Sequence, residues 1–425
     1  MKDSFLKRMF LCLMLCGAFV AAPEAMAQNN TNSPYSRYGY GELAQEGSGN
    51  TRAMGGVAYG LRAKNQVNYL NPASYTSIDS LTFVFEGGYQ AQNTNFVQEG
   101  VKRNARNSGL DYFAMQFRFG KWSAMSIGLT PISNVGYGLY QGFTDPVSDD
   151  NNYAVTNTGE GGLHQAYVGL AFKLTKNLSI GANGAYVWGD VNHKLIQQYV
   201  NNPDALAFER QEYTSVKSYT LDFGLQYSKR ISRRGEITLG AVFSPGHNLG
   251  NHSRINEYLG NESIGYTKYE RDTLLTTGLP TKFGVGLAYV YDNRLTIAAD
   301  YSLEKWSKAY VLGSKGTQVA DRQRVSLGAE YQINPYGNFL EKIKFRAGVY
   351  ASTPYYLVNG ERALKEYGAT VGICMPLGST NSLVHISGQY ARSGACSSAL
   401  ITENTLRVNI GITFNERWFF KRVVY

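Results

Sequence analysis

The 425-residue chain carries 41 Lys and Arg against 32 Asp and Glu, a formal net charge of +9, with 46 Gly, 32 Tyr, 20 Phe and only 11 Pro. Its basic residues fall in short groups such as Lys229-Arg230 and Arg233-Arg234, which excludes the clustered patch that a nucleic-acid surface needs. With two cysteines after position 27, Cys374 and Cys396, a disulfide scaffold is excluded as well, and both thiols are expected to be free.

The chain opens with a basic stretch (Lys2, Lys7, Arg8), an apolar run from Met9 to Ala22 and a small-x-small site at Ala25-Met26-Ala27. That pattern predicts a cleaved signal peptide over 1–27 and an exported protein beginning at Gln28. Cys12 and Cys16 each follow a leucine, which argues against lipidation. Beyond the signal no run approaches the ~20 apolar residues of a membrane helix. Mean hydropathy is −0.29. Abundant aromatics and glycines at low mean hydropathy suit a transmembrane β-barrel, whose lipid-facing and lumen-facing residues alternate and average out.

Residues 28–80 precede the first strand and form an N-terminal extension with glycines at 55, 56 and 60. It ends in Val67-Asn-Tyr-Leu-Asn-Pro-Ala-Ser-Tyr75. Pro72 disfavours helix at Asn71 and sets a bend. The first strand is Leu81 to Ala91. Period-2 alternation then runs through Phe113-Met115-Phe117, Met125-Ile127-Leu129, Val168-Leu170-Phe172, Ile180-Ala182-Gly184-Tyr186, Leu221-Phe223-Leu225 and Leu239-Ala241-Phe243. It resumes in Val285-Leu287-Tyr289, Ile297-Ala299-Tyr301, Val325-Leu327-Ala329, Phe345-Ala347-Val349, Ala369-Val371-Ile373, Val384-Ile386-Gly388 and Val408-Ile410-Ile412.

The count comes to about fourteen spans over 81–414, an even number as closed bacterial barrels require. Tight turns follow the even spans. The odd spans are followed by long connections, among them Tyr140–Gly162, Asp190–Ser215 and Pro245–Pro280. This long-short alternation predicts short periplasmic turns and long outer loops. A soluble β-sandwich, the competing fold, has shorter strands and no such segregation. Trp122, Trp188, Tyr291 and Trp306, near span ends, are placed in the interfacial girdles. The basic aromatic stretch 415–425 forms a C-terminal tail.

Several segments resemble the FadL/TodX-type outer-membrane transporters of long-chain fatty acids and other hydrophobic compounds. They are "TRAMGGVAYGLRAKNQVNYLNPASY", "AFKLTKNLSIGANGAYVWGDV", "LPTKFGVGLAYVYDNRLTIAADYSLEKWS" and "RVSLGAEYQINPYGNFLEKIKFRAGVYASTPY". The resemblance implies an all-β, fourteen-stranded antiparallel barrel with an N-terminal hatch in the lumen, and lateral exit of substrate at a kinked third span. Carried over by position, Asn71, Pro72 and Ala73 lie in the hatch, with Gly55, Gly56 and Gly60 allowing its close packing. Gly128 and Pro131 mark the kink and lateral opening. The start "NSPYSRYGYGEL" and the polar loop at 245–280 depart from the family pattern.

Two functions from different classes follow, the first being the expected one and the second its alternative. One is passive uptake of a hydrophobic small molecule through the hatch; the other is a non-transporting accessory barrel, a fixed subunit of an outer-membrane assembly or secretion machine. A permanent filling and a movable gate weigh equally at this stage. No Gly-x-Ser-x-Gly elbow, His-Glu-x-x-His pair or phosphate loop occurs, so neither an enzyme nor a metal or other cofactor is expected. Partners are limited to outer-membrane lipid, a hydrophobic ligand or an envelope complex, without nucleic acid. Asp111, Asp222, Asp300 and Glu330 are read as lumen groups or partners of Arg118, Arg324 and Arg346.

Overall fold

The computed structural model describes residues 30–417, apart from 81, 145–151, 203, 250, 262, 274–276, 312–313, 316–317, 359, 361–363, 378–381 and 396–399. The expectations on the signal peptide, on Cys396 and on most of the C-terminal tail lie outside these residues. Cys374 is buried and free.

Fourteen antiparallel strands close into a barrel. In chain order they are β1 (Thr82–Gln98), β2 (Val101–Arg118), β3 (Ser123–Phe143), β4 (Tyr153–Lys173), β5 (Leu178–Tyr199), β6 (Ala207–Arg230) and β7 (Gly235–Ser244). They continue as β8 (Lys282–Tyr291), β9 (Leu295–Glu304), β10 (Arg322–Gln332), β11 (Lys344–Ser352), β12 (Leu364–Pro376), β13 (Leu383–Ala395) and β14 (Thr402–Arg417). Each pairs with its sequence neighbour, and β1 closes the cylinder on β14 from Thr82 opposite Arg417 to Val97 opposite Thr402. Closure pairs the first strand with the last, which is the condition for a sheet to span a membrane.

The alternating residues read from the sequence form the outer face: Phe113, Leu129, Val168, Leu170, Phe172, Leu221, Phe223, Leu225, Leu239 and Val285 are all exposed large apolar side chains. In between, Gln116, Ser126, Asn183, Gln226, Asp300, Ser326 and Thr370 are buried toward the lumen. Type I′ geometry makes two of the turns, with positive φ at Glu99 and Gly100 and at Asp292 and Asn293.

Three expectations change. Much of the long connections is strand rather than loop: β5 and β6 are 22 and 24 residues long, about twice what a tilted membrane strand needs. Residues 251–261 and 265–273 add a hairpin to the far half of β6, pairing Asn251 with Val216 and Gly260 with Ala207. These extensions leave the apolar band, so both faces become polar and the alternation that marks a membrane strand fades. Trp306 is not in a girdle. It is 3% exposed and packs at the lumen end against Tyr355, ring centroids 4.5 Å apart, and Tyr40. The last strand runs to Arg417, so the first residues of the expected tail belong to the barrel.

Candidate functional site

Residues 47–78 lie inside the barrel. Asn71 is extended (φ −130°, ψ 101°), and its side chain accepts from Ala73 N at 3.2 Å to cap a 3₁₀ helix over Pro72–Ser77, with Pro72 at the first helical position. Proline there loses no hydrogen bond and presets φ, so Asn-Pro is a start signal. The Asn71 amide also donates to Tyr59 O at 2.8 Å and to Leu225 O of β6 at 3.3 Å.

The wall bonds this segment on many sides. Glu86 of β1 accepts from Gly49 N and Val67 N, both at 3.2 Å. Asp300 of β9 accepts from Ala58 N at 2.6 Å and Tyr59 N at 2.9 Å. Gln226 of β6 donates to Tyr59 O and Leu61 O, at 2.8 and 3.1 Å. Asn183 of β5 donates to Tyr69 O at 3.0 Å, Gln116 of β2 to Tyr75 O at 3.2 Å, and Thr370 of β12 to Ala53 O at 3.0 Å. Arg324 of β10 donates to Gly55 O at 3.0 Å. Each bond satisfies a main-chain group that has no sheet partner of its own.

The singled-out glycines sit where backbone meets backbone. Gly55 has φ +73°, and a Cβ there would stand 2.8 Å from Val349 O of β11; at Gly60 it would stand 2.8 Å from Ala288 N of β8. Gly56 (φ +88°) lies against the Arg324 guanidinium. The wall reciprocates. A Cβ at Gly181 would be 2.6 Å from the Pro72 carbonyl carbon and one at Gly224 would be 2.7 Å from Pro72 Cδ, so the chain lies directly on the strands.

At one place the wall is open. β2 pairs with β1 along nearly its whole length but with β3 only from Phe113 opposite Leu129 to Arg118 opposite Ala124. Beyond, β3 leaves β2 and keeps its pairing with β4 on the other side, with a register shift between Pro131 and Ser133. Gly128 and Pro131 flank the point of separation. A Cβ at Gly128 would stand 2.6 Å from Phe113 O, so the last close approach of the two strands is made over a glycine.

Residues 31–46 strap this seam from the lumen side. Glu42 and Leu43 pair with Asn134 and Ser133, Ala44 N donates to Ile132 O at 2.9 Å, and Gly136 N donates to Ser36 Oγ at 3.1 Å. Arg407 of β14 binds Glu42 at 2.7 Å, and Ser33 donates to Glu403 at 2.6 Å. Deeper, Arg52 forms a buried ion pair with Asp111 of β2. Glu46 lies beside Lys282 at 2.8 Å and Arg322 at 3.6 Å. Burial opposes its ionisation, but these cations outweigh that cost and hold its carboxyl at about 2.

Among the described residues, small cavities with polar lining remain beside this segment. One of about 120 Å³, between strap and wall, is lined by Arg322, Arg324, Arg407, Glu366, Glu403 and Tyr350 among others. One of about 40 Å³ lies in the seam against Asn107, Asp111, Pro131 and Asn134. Sequence reasoning missed Arg52, Asp111's partner, and the strap. A lone arginine in the small-residue run "TRAMGG" was the available signal. Of the expected pairs the structure forms Glu330 with Arg346, at 2.7 Å, whereas Arg118 and Arg324 bind main-chain carbonyls of the lumen segment. No metal-ligand cluster occurs among the described residues.

A closed fourteen-stranded cylinder with an apolar outer band and a chain segment bonded within it defines the class, an outer-membrane β-barrel protein. The chain belongs to the BamG family, whose model matches residues 6–424. No curated protein sequence matches it. Among solved structures it is similar to the Pseudomonas putida toluene transporter TodX, with TM-score 0.61 and 15% identity over 89% of this chain and 99% of that one. The Ralstonia pickettii toluene transporter TbuX gives 0.58 at 15% identity, over 88% and 99%. A Pseudomonas aeruginosa FadL homologue gives 0.53 at 12%, over 88% and 98%. The FadL/TodX likeness read from the sequence therefore holds for the fold, while the family model that matches is BamG.

Proposed function

We propose that this chain is a non-transporting accessory barrel, a fixed subunit of an outer-membrane assembly, exported by a cleaved signal peptide. The observation that carries this reading is the fastening of residues 47–78: bonds from at least six strands and glycine contacts to the wall favour a permanent filling over a gate. The charged lining of the remaining cavity also suits a hydrophobic cargo poorly, since each ion pair and amide there would face an apolar molecule without compensation. Membership of the BamG family, rather than a transporter family, supports the same reading.

Uptake of a hydrophobic compound is the second reading. The separation of β2 from β3 and the fold shared with toluene transporters favour it. In that reading Gly128 and Pro131 border a lateral exit, and Asn71-Pro72-Ala73 form a movable hatch. Purification from native outer membranes in mild detergent separates the two. Co-elution with other subunits at fixed stoichiometry is expected. Elution of the chain alone, together with hydrocarbon uptake into liposomes carrying it, would overturn the accessory reading.

A further inference from the structure

The outer half of β2 presents a free sheet edge. Val101 to Arg106 pair with β1 on one side and with nothing on the other among the described residues. Facing it across the seam, Tyr137 to Phe143 of β3 pair only with β4. The strap's hydrogen bonds on β3 end at Gly136, with Arg37 lying near Tyr137, and on β2 they end at Asn107, so no strand of the strap pairs with either stretch. Two rows of main-chain donors and acceptors therefore open toward one another with no strand between them.

This edge is also basic. Lys102, Arg103 and Arg106 are exposed, and their side chains form no ion pair or hydrogen bond among the described residues. Lys102 and Arg106 share a face with Leu110, which points out of the barrel. The other outer edge, residues 265–273, differs. There Lys268 pairs with Glu270 at 2.7 Å and Arg254 with Asp272 at 3.2 Å, so cations and carboxylates are mixed along it and one sign does not dominate. Paired charges blunt an edge against addition; unpaired cations of one sign select what may be added.

We propose that the edge of β2 from Val101 to Arg106 is a strand-addition site for an extended acidic segment of a partner protein. The segment enters the seam and pairs with β2 through its main chain, with carboxylates on alternate residues facing Lys102 and Arg106. Lipid phosphates could neutralise the cations but would leave both rows of main-chain groups unmatched; an extended polypeptide supplies both. The proposal rests on the accessory reading and names the place where such a subunit would be held.

The test uses the full chain in its native membrane, with a photoreactive residue placed singly at Lys102, Asn104 and Arg106, and at Tyr269 as control. Crosslinks from the three positions are expected on one acidic segment of one subunit, stepping by two residues from site to site. Lys102→Glu with Arg106→Glu should lower the yield from Asn104 at least tenfold. The yield at Tyr269 and the heat-modifiable gel mobility of the folded barrel should not change. Crosslinks only to lipopolysaccharide, crosslinks without the two-residue step, or none would each overturn it. Co-elution of the complex with no such crosslinks would remove this site and leave the accessory reading standing, whereas failure of the unaltered chain to co-elute with any subunit would remove both.

Discussion

Asn71 is fully buried and joins three parts of the structure: the 3₁₀ cap, the Tyr59 carbonyl and the wall at Leu225. Asn71→Ala should cost about 2–3 kcal/mol, and Pro72→Ala less than about 1 kcal/mol, because proline contributes preset geometry but no bond. Heat-modifiability on gels should rank them in that order; equal shifts would mean that the bend rather than the amide holds the segment. Glu46 gives a pH signature. Its folded value of about 2 lies below the ordinary 4.5, so its contribution is complete above pH 4.5 and lost as pH falls toward 2. Pepsin cleavage of the strap should rise through that window in the native chain. In Glu46→Gln it should be raised and flat there, and matching slopes would remove Glu46 from the account.

The seam is the element on which the two functional readings part. Leu43 lies opposite Ser133, so Leu43→Cys with Ser133→Cys should form a disulfide on oxidation in membranes, locking the strap to β3. Co-elution with partner subunits should be unaffected, whereas a lateral exit for cargo would be blocked. The same element shows what the sequence could and could not reveal. Strands facing lipid on one side and a packed lumen on the other leave a period of two, so Phe113 to Phe117 or Leu221 to Leu225 could be read directly. Gly128 and Pro131 marked the kink because neither residue suits a continuous ladder. The strap had no periodicity to betray it. Glu42 and Leu43 make a strand of two residues whose partner lies some ninety positions away, and the bonds of Ser33 and Glu42 to β14 span more than 360. Only the closed cylinder brings those ends together.

For the whole molecule, filling of the lumen by residues 47–78 predicts electrical silence. Planar bilayers containing the purified barrel should show no steady open-channel current. Large regular steps would indicate a porin and contradict both readings. The fourteen-strand cylinder and its outer apolar band follow from alternation and span parity, and the internal position of the Asn-Pro segment from the family resemblance together with its lying in a stretch with no span of its own. The height of β5 and β6 did not, because strands standing in water lose the pattern that membrane imposes.

The fastening of the lumen segment also bears on the order in which the protein is made. A chain bonded to β1, β2, β5, β6, β9, β10 and β12 cannot be threaded into a finished cylinder whose glycine-lined wall already touches itself across β1 and β14. It must be seated while the sheet is still an open arc. The final pairing of Thr82–Val97 with Thr402–Arg417 then shuts the arc around it. Synthesis order suits this, since residues 47–78 are available before any strand exists. The segment is in this sense the former around which the staves are bent, and a chain lacking it would face its slowest step, the most distant pairing in the fold, without a template.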